Sequence, residues 1–190
     1  MELAERRGVE TRVYEPAEDS ALLAAVAGER LGEDACVLEV GTGSGYVADR
    51  IVREVGASVV GSDVNPHACV AARERGVAVV RADLVAPFAD DAFDAVLFNP
   101  PYLPTEPETA WDDWMERALS GGEDGRAVID PFLERVGRVL APDGVVYLLV
   151  SSLTGVDAVV ERAGEEGFSA VAVADESFPF ETLTVLELFG

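Results

Sequence analysis

The chain contains no lysine: its 14 basic residues are all arginine, set against 36 acidic residues for a net charge of −22. Such a surface repels polyanions, because affinity for nucleic acid comes largely from neutralising phosphates with Lys and Arg. Nucleic acid is therefore not an expected partner. The acid runs along the whole length rather than collecting in a tail. That pattern suits concentrated salt, where screening removes self-repulsion, and it reads as habitat (a halophilic source) before function. Histidine is almost missing as well. His67 alone excludes a multi-histidine metal site and argues against a histidine-based triad, so no metal is expected. Cysteine is confined to Cys36 and Cys69, without CxxC or histidine spacing, and both read as small core residues. No apolar run reaches the length of a membrane span, and the acidic N-terminus does not have the pattern of a signal peptide. A soluble, cytoplasmic protein is expected.

What is present is a chain of 190 residues with 49% hydrophobic content, enough for one domain over residues 1–190 with a well-filled core. Residues 1–13 read as a loosely held arm. Tyr14-Glu15-Pro16-Ala17-Glu18-Asp19-Ser20 then leads into an apolar helix ending near Gly32, with Pro16 suited to its first turn and acids matching its dipole. Tyr14 and Ser20 could offer polar contacts at the mouth of a pocket. Ala35 to Val40 is a short apolar run typical of a strand buried on both faces. It meets Gly41-Thr42-Gly43-Ser44-Gly45 and a helix from Tyr46 to Glu54. Further strands are expected at 58–63, 77–83, 93–99, 144–151, 169–173 and 183–189. Helices are expected at 66–74, 128–140 and 156–166. Residues 103–127 form an insertion on the substrate side, whose glycines and length suggest a mobile lid rather than a packed element. Of its tryptophans, Trp111 and Trp114, one is expected to pack the lid and the other is left open between packing and the acceptor channel. Strands alternating with helices at this spacing give an α/β fold with a doubly wound, mostly parallel sheet. With no helix between the last two strands, one of them should run antiparallel.

In open α/β sheets ligands sit beyond the carboxyl ends of the strands. Four predicted strand ends here carry a polar side chain: Glu39, Asp63, Asp83 and Asn99. Glycines 41, 43 and 45 allow tight turning and let a ligand approach bare backbone. The helix beyond them offers free N–H groups. A dinucleotide site would place a third glycine where Tyr46 stands, and the Glu39 carboxylate would repel a pyrophosphate while attracting an amine. Asp63 is placed to accept from paired ribose hydroxyls and Asp83 from an adenine amine. An adenosine carrying a cationic amino-acid arm meets these demands, which makes S-adenosylmethionine the expected cofactor.

Asn99-Pro100-Pro101-Tyr102 follows the fourth strand as a stiff platform, since each proline fixes its own φ and biases the residue before it towards extended geometry. Two prolines remove two N–H groups, leaving carbonyl oxygens and the Asn99 amide as the polar groups on offer. Such a platform suits a planar substrate bearing an NH2 group, with Tyr102 to stack on its face. A rigid surface turn would equally account for the tetrapeptide taken alone.

Glu39 to Gly45, together with Asp63 and Asp83, resembles the motif set of seven-stranded, Rossmann-like class I methyltransferases. Asn99-Pro100-Pro101-Tyr102 is similar to the signature of amino-methyltransferases acting on glutamine amides or nucleobase amines. The Tyr14–Ser20 stretch and Gly121-Gly122-Glu123-Asp124-Gly125-Arg126 resemble the archaeal and eukaryotic branch of the HemK-like family. That branch methylates the glutamine of the Gly-Gly-Gln motif in class 1 release factors. Ser20 stands where threonine is common, a change that keeps the hydroxyl. The resemblance implies that Ser20, Glu39, Gly41, Asp63, Asp83 and Leu84 line the donor, with Tyr14 and Gly43 beside them. It also implies that Asn99, Pro100, Pro101 and Tyr102 hold the acceptor. Asn99 and Pro100 would accept the two hydrogens of the target amide, and Asn99 would border the donor as well. An adenine-N6 methyltransferase for RNA or DNA, a protein lysine methyltransferase and a non-catalytic module that keeps the donor pocket are the competing expectations.

The strand at 77–83 falls on an outer edge in this kind of fold, and Val77 to Val80 carries no charge or proline to protect it. Ala68, Cys69 and Ala72 nearby are small and apolar. A partner protein could add a strand there. The resembled branch works with a small zinc-binding activator protein, so a heterodimer at this edge is expected.

Overall fold

The computed structural model describes residues 13–105 and 114–190. Its elements follow from the sequence pattern in chain order. They begin with α1 (Glu18–Arg30), β1 (Cys36–Val40), α2 (Tyr46–Glu54), β2 (Ser58–Asp63), α3 (Pro66–Glu74) and β3 (Ala78–Arg81). β4 (Phe93–Phe98), α4 (Trp114–Leu119), α5 (Ile129–Val136) and β5 (Leu140–Ser151) come next. α6 (Val156–Glu165), β6 (Ser169–Ser177) and β7 (Thr182–Phe189) close the chain. The strands form one seven-stranded sheet in the order β3-β2-β1-β4-β5-β7-β6. Pairings among β1 to β5 are parallel, while β7 is antiparallel to both β5 and β6. A single reversed strand thus accounts for the missing helix between the last two.

The continuous apolar runs are buried on both faces, and the two-residue period of a strand divides them. Leu38, Val40, Val96, Phe98, Val146, Leu148 and Val150 face the layer that holds α5 and α6. Val37, Ala95, Leu97, Tyr147 and Leu149 face the layer that holds α1 and α2. Phe98 and Phe132 of α5 pack with ring centroids 4.6 Å apart, which anchors the end of β4 from beneath. Burying a side chain of this size contributes roughly 1.5–3 kcal/mol. Strand order reverses between β1 and β4, so the crevice at that point opens above Val40 and Phe98.

Several expectations are corrected. α1 begins at Glu18 with Ala17 as its cap residue, so Pro16 lies before the helix rather than in its first turn. The predicted helix over 128–140 stops at Val136 and tightens into a 3-10 turn, Gly137–Val139. Leu140 already pairs with Phe93, and the register then skips to Val145 opposite Ala95. The segment between them, with Asp143 at φ +65°, is a bulge inside β5, which sequence periodicity reads as a turn before it. β6 runs four residues longer than expected, to Ser177, because β7 supplies partners along its whole length.

The described part of the 103–127 insertion is packed. Leu103 N–H donates to Leu119 O at 2.9 Å, Gly121 N–H to Leu103 O at 2.9 Å and Thr105 N–H to Gly122 O at 2.8 Å. Trp111 lies outside the described residues. Ala68, Cys69 and Ala72 form the buried inner face of α3 rather than a surface displayed at the sheet edge, and Cys36 is only half-buried. Among the described residues no helix is long and apolar enough to cross a membrane.

Candidate active site

At the reversal point the loops after β1, β2, β3 and β4 surround a cavity of about 840 Å³. That volume is typical of a small-molecule site. All the residues singled out in the sequence for a donor or an acceptor line it: Tyr14 and Ser20 before β1; Glu39, Gly41 and Gly43; Asp63; Asp83 and Leu84; and Asn99 to Tyr102.

The loop after β1 is built around Glu39, which is 5% exposed. Its Oε2 accepts from Thr42 Oγ1 at 2.5 Å and from Ala48 N–H at 3.0 Å, tying the loop to the first turn of α2. Burial pushes the Glu39 carboxyl up to about 7; the Thr42 and Ala48 hydrogen bonds oppose this and nearby Asp63 adds to it. Gly41, Gly43 and Gly45 all have left-handed backbone, with φ of +62°, +55° and +76°. The requirement is sharpest at Gly45, where a Cβ would lie 3.0 Å from the Ala72 Cα. Glycine here is a matter both of backbone conformation and of α3 packing.

Asp63 ends β2 and joins two loops. Its Oδ2 accepts from Gly43 N–H at 2.9 Å and its Oδ1 from Asn65 N–H at 2.8 Å. Burial raises its pKa, and the backbone donors hold it back. A carboxylate offers about four acceptor sites, so capacity for two hydroxyls remains. Asp83 differs from the others. It sits beyond the end of β3 with its side chain 75% exposed, 4.0 Å from Arg135 on α5. It can therefore serve only from the rim. Leu84, beside it, takes φ +50°, an uncommon conformation for leucine. Arg138 holds this wall by donating to Val85 O at 3.0 Å and Phe88 O at 2.8 Å.

On the other side of the cavity, Asn99 Oδ1 is buried and has no hydrogen-bond partner among the described residues. An unpaired buried acceptor costs about 1–3 kcal/mol and points to a donor that arrives with a ligand. Tyr102 and Tyr14 both have raised phenol pKa values. Burial is the first cause for each; the charges of Asp19, Glu181 and Glu18 then add to it.

Two lining groups, Asp19 and Glu181, escape reasoning from sequence. Asp19 is buried at the start of α1 and accepts from Tyr14 Oη at 3.2 Å, Ser20 N–H at 2.6 Å and Ser20 Oγ at 3.2 Å. The acidic stretch around it was visible, but as helix-dipole acid. Glu181 arrives from the β6–β7 turn and accepts from Ser151 Oγ at 2.6 Å. No local pattern announces it. Trp114 also lines the cavity, with the Arg117 guanidinium 5.2 Å from its ring centroid.

The donor set fits a nucleoside with a cationic arm. Acidic groups stand at the ends of β1 and β2 and just beyond β3, bare glycine backbone lies beside them, and the Asn99 amide oxygen, without a partner among the described residues, is set opposite. With the order β3-β2-β1-β4-β5-β7-β6 and one reversed strand, this arrangement defines a Rossmann-like class I methyltransferase. A family profile described as a methyltransferase domain matches residues 37–122.

A protein of Methanocaldococcus jannaschii, provisionally named protein N5-glutamine methyltransferase, is 36% identical over 92% of this chain and 90% of its own length. Human methyltransferase HEMK2 is 33% identical over 95% of this chain and 91% of its own. Among solved structures, the E. cuniculi Mtq2–Trm112 complex, responsible for methylating the eRF1 termination factor, contains a chain that superposes with a TM-score of 0.78. The match is at 30% identity and covers 94% of this chain and 99% of that one. The chain belongs to the HemK-like family of methyltransferases, in its archaeal and eukaryotic branch.

Proposed function

We propose that this enzyme methylates the glutamine side-chain amide in the Gly-Gly-Gln motif of a class 1 translation release factor, using S-adenosylmethionine. It would do so in the cytoplasm, as one half of a heterodimer with a small zinc-binding activator protein. The observation that carries the reading is the buried Asn99 Oδ1, without a hydrogen-bond partner among the described residues, beside Pro100 and Pro101 in the shared cavity.

On this reading Glu39 faces the amino group of the donor's amino-acid arm, Asp63 the ribose and Asp83 the adenine from the rim. Gly41, Gly43 and Leu84 would close around the nucleoside, with Ser20 and Tyr14 at the mouth. S-adenosylmethionine would supply an activated methyl group on a positively charged sulfur. An amide nitrogen is a poor nucleophile because its lone pair is delocalised into the carbonyl. Asn99 Oδ1 and the Pro100 carbonyl would accept its two hydrogens, orienting the nitrogen and enriching it in electron density. Pro101 keeps that pair rigid, and Tyr102 covers the amide plane. Positioning would therefore supply most of the rate. The amide can lose its proton after transfer, so no dedicated base is required.

The heterodimer is supported by the bare outer edge at β3. Val80 on this strand is 40% exposed, and Val64 in the loop after β2 and Val70 on α3 are 47% and 52% exposed, on an otherwise acidic chain. One β3 carbonyl is already covered, since Arg73 Nη2 donates to Val79 O at 3.3 Å. The added partner would pair around it. The charge of −22 without lysine supports a halophilic source and weighs against RNA or DNA as acceptor.

The test is transfer of labelled methyl to a release factor, to its Gln→Ala version, to RNA, to DNA and to lysine-rich protein, in high salt with the activator present. Label is expected on the first alone. Label on RNA, DNA or lysine instead would overturn the assignment.

A further inference from the structure

We infer that the Gly125–Arg126 turn and Thr154 form a clamp that fixes the position of the Asn99–Tyr102 platform, so that Arg126 and Thr154 are positioning residues for methyl transfer. The inference rests on the reading of that platform as the acceptor site. Pro100 and Pro101 have no N–H, so the platform must be held through its carbonyls and through the residues that follow. Three segments distant in sequence converge on this task.

Thr154, in the loop after β5, is 1% exposed, and its Oγ1 donates to Tyr102 O at 3.4 Å. That bond is long and would hold weakly by itself. Packing adds what it lacks. Gly125 (φ +77°) lies so close against the same carbonyl that a Cβ there would stand 2.6 Å from Tyr102 O and 3.3 Å from Thr154 Oγ1. Arg126 closes the ring. Its Nη1 donates to Thr154 O at 2.7 Å and its Nη2 to Asp124 Oδ2 at 2.6 Å, while its own N–H donates to Asp124 Oδ1 at 3.0 Å. The guanidinium fork thus joins the turn to the β5–α6 loop, a span that the single nitrogen of lysine does not bridge. Behind it, Gly121 N–H donates to Leu103 O at 2.9 Å and Gly121 O accepts from Ala127 N–H at 2.8 Å, which seats the turn against the residues after Tyr102.

The consequence for chemistry follows from the prolines. Between Tyr102 and Asn99 two φ angles are locked, and each X–Pro bond restricts the residue before it. A shift of the Tyr102 carbonyl therefore meets few free torsions that could absorb it before Asn99. A misplacement of about 1 Å at a reacting centre can cost roughly a hundredfold in rate.

The test uses the full chain with its activator, comparing wild type with Thr154→Val, Thr154→Ser and Arg126→Lys. Calorimetry reads binding of S-adenosylhomocysteine, steady-state kinetics read transfer to the release factor, and hydrogen exchange reads peptides covering residues 102–105 and 42–48. Thr154→Val and Arg126→Lys should lower kcat by about ten- to a hundredfold while nucleoside affinity stays within about twofold, and Thr154→Ser should restore turnover. Exchange at 102–105 should rise while that at 42–48 stays unchanged. Full turnover in Thr154→Val and Arg126→Lys, or loss of nucleoside binding in step with turnover, would overturn the clamp. If wild type transfers nothing to the release factor, the proposed function fails. The clamp is then judged on exchange: faster exchange confined to 102–105 supports it, and unchanged exchange refutes it.

Discussion

Replacing Asn99 by alanine should separate stability from activity in opposite directions. Its Oδ1 is buried and has no hydrogen-bond partner among the described residues. Leaving an acceptor in that condition costs about 1–3 kcal/mol, which truncation would return. Against that, the shortened side chain gives up contacts worth about 1 kcal/mol in a half-exposed position. The balance lies between about 0 and +2 kcal/mol. For a chain of this size that raises Tm by up to about 6 °C. Turnover should move the other way. An oriented hydrogen-bond acceptor that acts on the reacting group is worth roughly 10²–10³ in kcat, by analogy with donors that stabilise developing charge. Thermal unfolding followed by circular dichroism in molar salt, with methyl transfer measured on the same preparation, reads both quantities. Donor affinity should change little, since the donor's other partners remain. A variant that unfolds more than 2 kcal/mol more easily and transfers at the wild-type rate would show that Asn99 is a structural residue, and the mechanism would fall.

The Glu39 carboxyl, held near 7 by burial, makes donor binding pH-dependent. A cationic arm favours the ionised form, so affinity should fall by up to about tenfold per unit as pH drops below 7. Glu39→Gln should bind weakly and flatly between pH 6 and 8, by calorimetry. In the free protein the sign reverses. An acid whose folded pKa lies above its ordinary 4.5 favours the protonated folded state, so its stabilising contribution is lost as pH rises from 4.5 to about 7. Gly45→Ala combines a left-handed backbone with a Cβ 3.0 Å from the Ala72 Cα. A loss of about 2–4 kcal/mol is expected, or roughly 5–15 °C in Tm by calorimetric scanning. Val80→Lys places a charge on the bare edge. It should leave the isolated chain's stability within about 0.5 kcal/mol but abolish co-elution with the activator on size-exclusion chromatography.

Much of the fold was legible because the local signals agreed. Apolar runs of strand length, bounded by glycine and acid, marked β1, β2 and β4 almost to the residue. The glycines at 41, 43 and 45 marked the turn because a left-handed backbone leaves few other choices. The elements that were misread are those where a neighbour overrides local preference. Leu140 joins β5 only because Phe93 offers it a partner, and the 114–119 helix with its glycine turn is held by hydrogen bonds to Leu103 and Thr105.

By itself the sequence determined which chemistry the chain could carry: acids at strand ends, an asparagine before two prolines, and hardly a histidine or cysteine to do anything else. These are properties of residue type and spacing, and spacing along a strand dictates which face or end a side chain reaches. Only the tertiary structure decided how each group is used. Glu39 is buried and tied to the loop while Asp83 stays at the rim; Glu181 lines the cavity, Thr154 bonds Tyr102 O and Arg126 holds Thr154, all from segments far along the chain. Desolvation and close approach depend on what packs against a residue from elsewhere, and the order of neighbours along the chain carries no record of that.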